Sequence, residues 1–173
     1  MLITGPQLCH VSSCTREGCS DLAGCQGHAA RAHAFVAESN RIEGITRPPT
    51  QAELQAHEWF VALPVITVQD LQEFVSVYQP GAVLRDRVGL DVRVGNHIPP
   101  RGRPEIREHL ESILRTGGDP WEQHCAYETL HPFTDGNGRS GRALWAWRMQ
   151  RYPLGFLHHF YYQTLQHVGR AAA

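Results

Sequence analysis

Between His28 and Glu43 the small and apolar residues Ala29, Ala32, Phe35, Val36, Ser39 and Ile42 recur at helical spacing, with no proline among them, which predicts a helix with one buried face. It must stop near Gly44, because Pro48-Pro49 follows. Thr50 and Glu53 then form the pattern of a capping box ahead of Leu54, Glu58 and Val61, and Thr67 with Asp70 repeats it ahead of Leu71, Phe74, Val75 and Tyr78. Pro80-Gly81 closes that third helix. The period then changes from helical to two. Val88, Leu90, Val92 and Val94 alternate with Arg87, Gly89, Asp91 and Arg93, which predicts a half-buried strand and one short β-hairpin. After the loop Pro99 to Arg103, Pro104 opens a helix carrying Ile106, Leu110, Ile113 and Leu114, and Gly117-Gly118 ends it. Asp119 is an N-cap with Pro120 next, for a helix through Trp121, His124, Cys125 and Glu128. Ala143 to Gln150 and the aromatic-rich Phe156 to Val168, separated by Pro153, read as the last helices.

The sum is a mainly helical domain interrupted by one small strand pair. Composition agrees: 173 residues suffice for one domain with a sizeable core, and 42% hydrophobic with 19% charged residues is ordinary for a globular chain. A net charge of -1 advertises neither nucleic acid nor an anionic membrane, although all 16 basic residues are Arg. No run approaches the roughly 20 apolar residues of a membrane helix, and Met1 to Pro6 lacks the marks of a signal peptide, so a cytoplasmic location is expected.

The chemistry is concentrated between two predicted helices, in His131-Pro132-Phe133-Thr134-Asp135-Gly136-Asn137-Gly138-Arg139-Ser140-Gly141-Arg142. Gly136 and Gly138 allow a tight backbone whose N–H groups, with the N-terminus of the next helix, attract an anion such as phosphate. Arg139 and Arg142 fall on one helical face, where two guanidinium forks can take the oxygens of a polyphosphate. Asp135 is a hard carboxylate suited to Mg²⁺, and His131 can accept a proton from an attacking hydroxyl. Phe133 is expected to turn inward and anchor the loop. Each residue alone fits an ordinary surface turn, but a turn has no need of all of them together.

This segment resembles the signature of the Fic family, His-x-Phe-x-(Asp/Glu)-Gly-Asn-Gly-Arg-x-x-Arg, at all eight specified positions. The resemblance implies a helical domain that binds ATP and transfers AMP to a Ser, Thr or Tyr hydroxyl of a target protein. It implies His131 as general base and Asp135 as the Mg²⁺ ligand. The Gly136 to Gly138 backbone and the Asn137 side chain would hold the inner phosphates, with Arg139 and Arg142 on the outer ones. Ser39-Asn40-Arg41-Ile42-Glu43-Gly44 is similar to the family's inhibitory motif, (Ser/Thr)-x-x-x-Glu-(Gly/Asn), in which Glu43 would pair with Arg142. The alternating stretch and its flanks, about residues 85–98, look like the flap along which a target segment is laid by strand addition. The resemblance places the domain at residues 35–170, with the inhibitory helix at about 29–44 and the loop at 131–142. On the same scaffold a different phosphate-containing group could move, or AMP could be removed, with Glu43 placing a water. From another class, a non-catalytic nucleotide- or partner-binding module would leave His131 and Asp135 without a use.

Residues 1–34 form a separate Cys- and His-rich segment. Cys14, Cys19, Cys25 and His28 could enclose one structural Zn²⁺, with Cys9, His10 and His33 in reserve; free thiols in a reducing compartment are the alternative. Few basic residues accompany them, which argues against nucleic acid.

Overall fold

The computed structural model describes residues 22–153, and over that range the chain is a bundle of six helices: α1 (Leu22–Ile42), α2 (Gln51–Ala62), α3 (Val68–Tyr78), α4 (Glu105–Arg115), α5 (Pro120–Leu130) and α6 (Asn137–Met149). Cys14, Cys19 and the expected helix at Phe156 to Val168 lie outside the described residues. None of the described helices is long and apolar enough to cross a membrane.

Local chemistry sets the helix starts. At α2 the Glu53 N–H donates to Thr50 Oγ1 (3.2 Å) while the Thr50 N–H donates to Glu53 Oε2 (2.7 Å). Thr67 and Asp70 repeat the exchange at α3, and Asp119 accepts from the Trp121 and Glu122 N–H groups at α5. Each reciprocal box satisfies donors that a helix start otherwise leaves open, worth about 1 kcal/mol apiece. α1 begins at Leu22, earlier than the apolar pattern from His28 predicts, and so runs through residue 34, where the sequence suggests a boundary. His28 is exposed on it, with its ring edge-on to Tyr152 at 5.4 Å.

α6 is the hub. It packs against α1, α2, α3 and α5, and its residues from Ser140 to Trp147 are all buried, so it shows no polar stripe of the kind a surface helix carries. On one side lie Phe60, Leu71, Phe74, Leu110, Tyr127, Phe133 and Leu144. On the other, α1 docks Ala32 and Phe35 against Trp145, Ala146 and Tyr152. Phe35 and Val36 are fully buried, each contributing roughly 1.5–3 kcal/mol to holding α1 in place.

The expected β-hairpin does not form. Among the described residues the only β-type pairings are two isolated bridges, Leu84 with Phe133 and Val94 with His97. Gly89 and Gly95 turn the backbone at φ +90° and +58°, and the Leu90 carbonyl is taken by the Arg85 side chain instead of a strand. Period-two alternation does not supply a partner strand, and without one the segment forms no ladder: it turns at Val88-Gly89 and Gly95-Asn96 and closes the single Val94–His97 bridge. The Leu84 bridge has a different consequence. Arg85 N–H donates to the Pro132 carbonyl at 2.8 Å and Thr134 N–H to that of Val83 at 3.0 Å, so the chain after α3 is laid along the loop before α6.

Between α1, α2 and α3 sits an unusual core residue, His57, 1% exposed and ringed edge-on by Phe35, Phe74 and Tyr78. Neither ring nitrogen has a hydrogen-bond partner among the described residues. Burial, helped by the Arg142 charge, pushes its pKa down from 6.5 to about 3. The folded protein therefore holds His57 neutral at pH 5 while the unfolded chain protonates it below about 6.5, so stability is lost as pH falls through that window. His57→Phe keeps the ring packing and removes the linkage. Its stability relative to the parent should improve by about 2 kcal/mol on going from pH 8 to pH 5, read from urea midpoints; a difference independent of pH would contradict this assignment.

Candidate active site

The site lies where α5 ends and α6 begins. His131 caps the C-terminus of α5 in the left-handed conformation (φ 49°, ψ 62°), which a non-glycine residue adopts only when its surroundings compel it. Its Nδ1 is buried without a hydrogen-bond partner. Burial, followed by the nearby positive charge of Arg85, pulls its pKa from 6.5 to about 4, so the imidazole is neutral and able to accept a proton at neutral pH. Phe133, 1% exposed, anchors the loop in the core as expected.

Asn137 does something other than reach outward. Its Oδ1 accepts from the Phe133 N–H and its Nδ2 donates to the Phe133 carbonyl, both at 2.8 Å, so the side chain is committed to shaping the loop. Any contact with an anion must come from backbone here. Asp135 is exposed and uses Oδ1 to accept from Gly136 N–H (2.6 Å), turning the chain into α6. Gly136 caps α6 at φ 78°, and no side chain closes that helix end, in contrast to α2, α3 and α5. The first turn of α6 thus keeps its positive end free for an anion.

An anionic group does lie there, and it belongs to the protein. Glu43 follows the last residue of α1 and places Oε1 2.6 Å from Arg142 Nη2. Ser39, one helical turn earlier, accepts from Arg142 Nε at its hydroxyl (2.8 Å) and from Nη2 at its carbonyl (3.1 Å). Arg142 is 2% exposed while the Glu43 side chain is 32% exposed, so the pair is buried on the arginine side and open on the other. Gly44, at φ 78°, turns the chain away directly after Glu43. Both partners sit in one chain. Gly138 makes room: a Cβ there would stand 2.7 Å from Glu43 Oε1 and 3.1 Å from Arg142 Nη1. Arg139 stacks its guanidinium over Tyr78, 4.9 Å from the ring centroid, and leaves a buried Nε without a partner.

The structure therefore brings together His131, Asp135, the Gly136 to Gly138 backbone, Arg139, Arg142, Ser39 and Glu43. Among the described residues no group of three or more His, Cys, Asp or Glu is arranged to hold an ion; Cys14 and Cys19 of the zinc candidates lie outside them. Two residues have no signal in the sequence pattern. Glu128, 4% exposed, lies against Gly141, where any Cβ would collide with its carboxylate, and burial raises its pKa to about 7 against the pull of Arg142. Arg85 is fully buried beside the His131 turn. Neither a buried Glu nor a buried Arg interrupts helical or alternating spacing in a way that distinguishes it from a surface residue. A third device holds the approach to Glu43: Glu53, besides capping α2, accepts both terminal nitrogens of Arg47 and the Asn40 amide, pinning the end of α1 to the start of α2.

A family model described as the Fic/DOC family matches residues 56–148, more than half of the chain. The match runs from within α2 to the last turn of α6, so α1 with Ser39 and Glu43 lies before it. No curated protein and no solved structure matches the chain significantly. With the loop, its arginines and the base assembled as described and more than half of its length matched, the chain belongs to the Fic/DOC family.

Proposed function

We propose that the protein transfers AMP from ATP to a hydroxyl of a target protein and that Glu43 holds this activity back. The observation carrying the proposal is the Glu43 carboxylate on Arg142, seated over Gly138 at an uncapped helix N-terminus. A carboxylate in that position occupies the place an outer phosphate would take and competes for the same guanidinium. ATP binds productively when the pair opens. The outer phosphates then lie on Arg139 and Arg142, and the inner ones on the Gly136 to Gly138 backbone. The target hydroxyl attacks the α-phosphorus and gives its proton to the neutral His131 imidazole. The bond from the α-phosphorus to the bridging oxygen breaks, and pyrophosphate leaves. Catalysis is mostly positioning and charge neutralisation, as expected for displacement at phosphorus.

Asp135 fits a Mg²⁺ site in donor type and exposure, since this ion takes one or two protein carboxylates and fills its remaining positions with phosphate oxygens and water. Bound there, the ion would neutralise phosphate charge. The segment around residues 88–98, which crosses the surface with no partner strand beyond its own Val94–His97 bridge, supports a flap role in which a target segment is added alongside it.

Incubation of the parent and of Glu43→Gly with a cell lysate and ATP labelled at either the α or the γ phosphorus tests the proposal. α-Label should enter protein, at least about tenfold faster with Glu43→Gly, since restoring even a modest fraction of productive ATP binding is worth that much. Label entering from the γ position would mean phosphoryl transfer instead. Loss of AMP from a premodified protein, dependent on Glu43, would mean hydrolytic removal of AMP instead.

A further inference from the structure

Among the described residues Arg85 heads the fully buried side chains, at 0% exposure, and none of its hydrogen bonds goes to a carboxylate. Its donors go to four backbone carbonyls: Nε to His131 (2.7 Å), Nη2 to Leu130 (2.8 Å), and Nη1 to Pro100 (2.8 Å) and, more weakly, to Leu90 (3.4 Å). The first two are terminal carbonyls of α5, which have no partner within the helix and carry its negative end, so a guanidinium is well matched to them. The second two bracket the segment 90–100. Among the described residues its other ties are the bridge between Val94 and His97, Arg93 Nε donating to the Gly95 carbonyl at 2.9 Å, a His97 ring contact to the Thr129 carbonyl at 2.9 Å, and the Asp91 carboxylate on Gly102 N–H. The main chain of Arg85 adds to the tie, donating to Pro132 and accepting from Arg103 N–H.

We infer that Arg85 is a positioning residue for the transfer reaction, one guanidinium fixing both the left-handed turn that presents His131 and the two ends of the segment that receives the target. The inference rests on the function proposed above. The Asp91 carboxylate lies near enough to favour its charge, but every hydrogen bond of this guanidinium goes to backbone, and it spans two pieces of backbone that must meet the same substrate from different sides. A lysine keeps the charge but presents a single point and cannot span both. The base and the flap then lose their common register, and displacement of a catalytic group by about 1 Å is enough to cost on the order of a hundredfold in rate.

The test places Arg85→Lys and Arg85→Gln in the Glu43→Gly background. Three measurements are made: α-label incorporation into lysate protein at saturating ATP, the Kd of a non-hydrolysable ATP analogue, and amide hydrogen exchange. Incorporation should fall at least about tenfold in both variants while the analogue Kd stays within about twofold. Exchange should speed up together at Val94, His97 and Arg103 and at the His131 turn, with α2 and α3 amides unchanged. Parent-like incorporation in Arg85→Lys overturns the inference, as does exchange that rises in only one of the two segments. Should the Glu43→Gly parent itself fail to label, the transfer reading falls, and exchange alone decides whether Arg85 ties the two segments. Faster exchange throughout α2 and α3 in both variants would mean that Arg85 supports the whole fold, and would also overturn the inference.

Discussion

His131→Ala, introduced into the Glu43→Gly protein, is expected to lower the rate of α-label transfer by about 10²–10⁴-fold, the usual contribution of a positioned general base. The affinity for ATP should stay unchanged. The imidazole stands outside the turn of α6 that would hold the phosphates, and at Nδ1 it has only a loose approach to the Glu128 backbone. The loop is held independently, by Phe133 in the core and by the reciprocal Asn137 pair. Loss of transfer with retained analogue binding assigns His131 to the chemical step. Transfer at the parental rate would remove it from the mechanism, and a parallel loss of ATP binding would make it a structural residue. Histidine is already largely neutral at pH 7, and burial with the Arg85 charge extends that neutral range down toward pH 4 in the folded site.

Arg142→Met has the largest expected effect on stability, and its contrast with Glu43→Gly is the sharper measurement. Removing the guanidinium leaves the buried Ser39 hydroxyl and carbonyl without their donor, and it takes away the positive charge that draws the Glu128 pKa down from where burial alone would put it. Truncating one member of a buried charged network costs at least about 3 kcal/mol, measured from denaturant midpoints. Removing Glu43 costs at most about 1 kcal/mol, because its carboxylate is one-third exposed and solvent already screens the pair. The two ends of one salt bridge should therefore behave oppositely: Glu43→Gly gains transfer at small cost, while Arg142→Met loses both transfer and stability. Equal stability losses for the two variants would mean that the contact serves the fold alone. On the proposed reading, opening the Ser39 and Glu43 contacts to Arg142 would leave α1 docked through Phe35 and Val36, so the opening would be local.

Much of the fold is legible along the chain because short-range chemistry decides it. The capping boxes at Thr50 and Thr67, the Asp119-Pro120 start and the glycines at 44 and 136 each act within a few residues, and each does in the structure what its spacing predicts. The strand does not follow the same rule. A helix satisfies its own backbone, whereas a strand needs a neighbour, and alternation from Val88 to Val94 carries no information about whether one is present. Arg85 instead takes the Leu90 carbonyl, and the hairpin is absent.

The amino-acid sequence by itself determined the helical elements, the loop from His131 to Arg142 and the kinds of chemistry that loop can perform, since residue type and spacing are enough to set donors, charges and turns. The Glu43–Arg142 pair across 99 positions was legible through the motif resemblance, but only the tertiary structure decided the other partners: Asn137 turned back on Phe133, His57 and Glu128 shifted by burial, and Arg85 on the carbonyls of Leu130, His131 and Pro100. Burial and distance between remote residues are properties of the packed chain, and they are what turns a set of suitable side chains into a site.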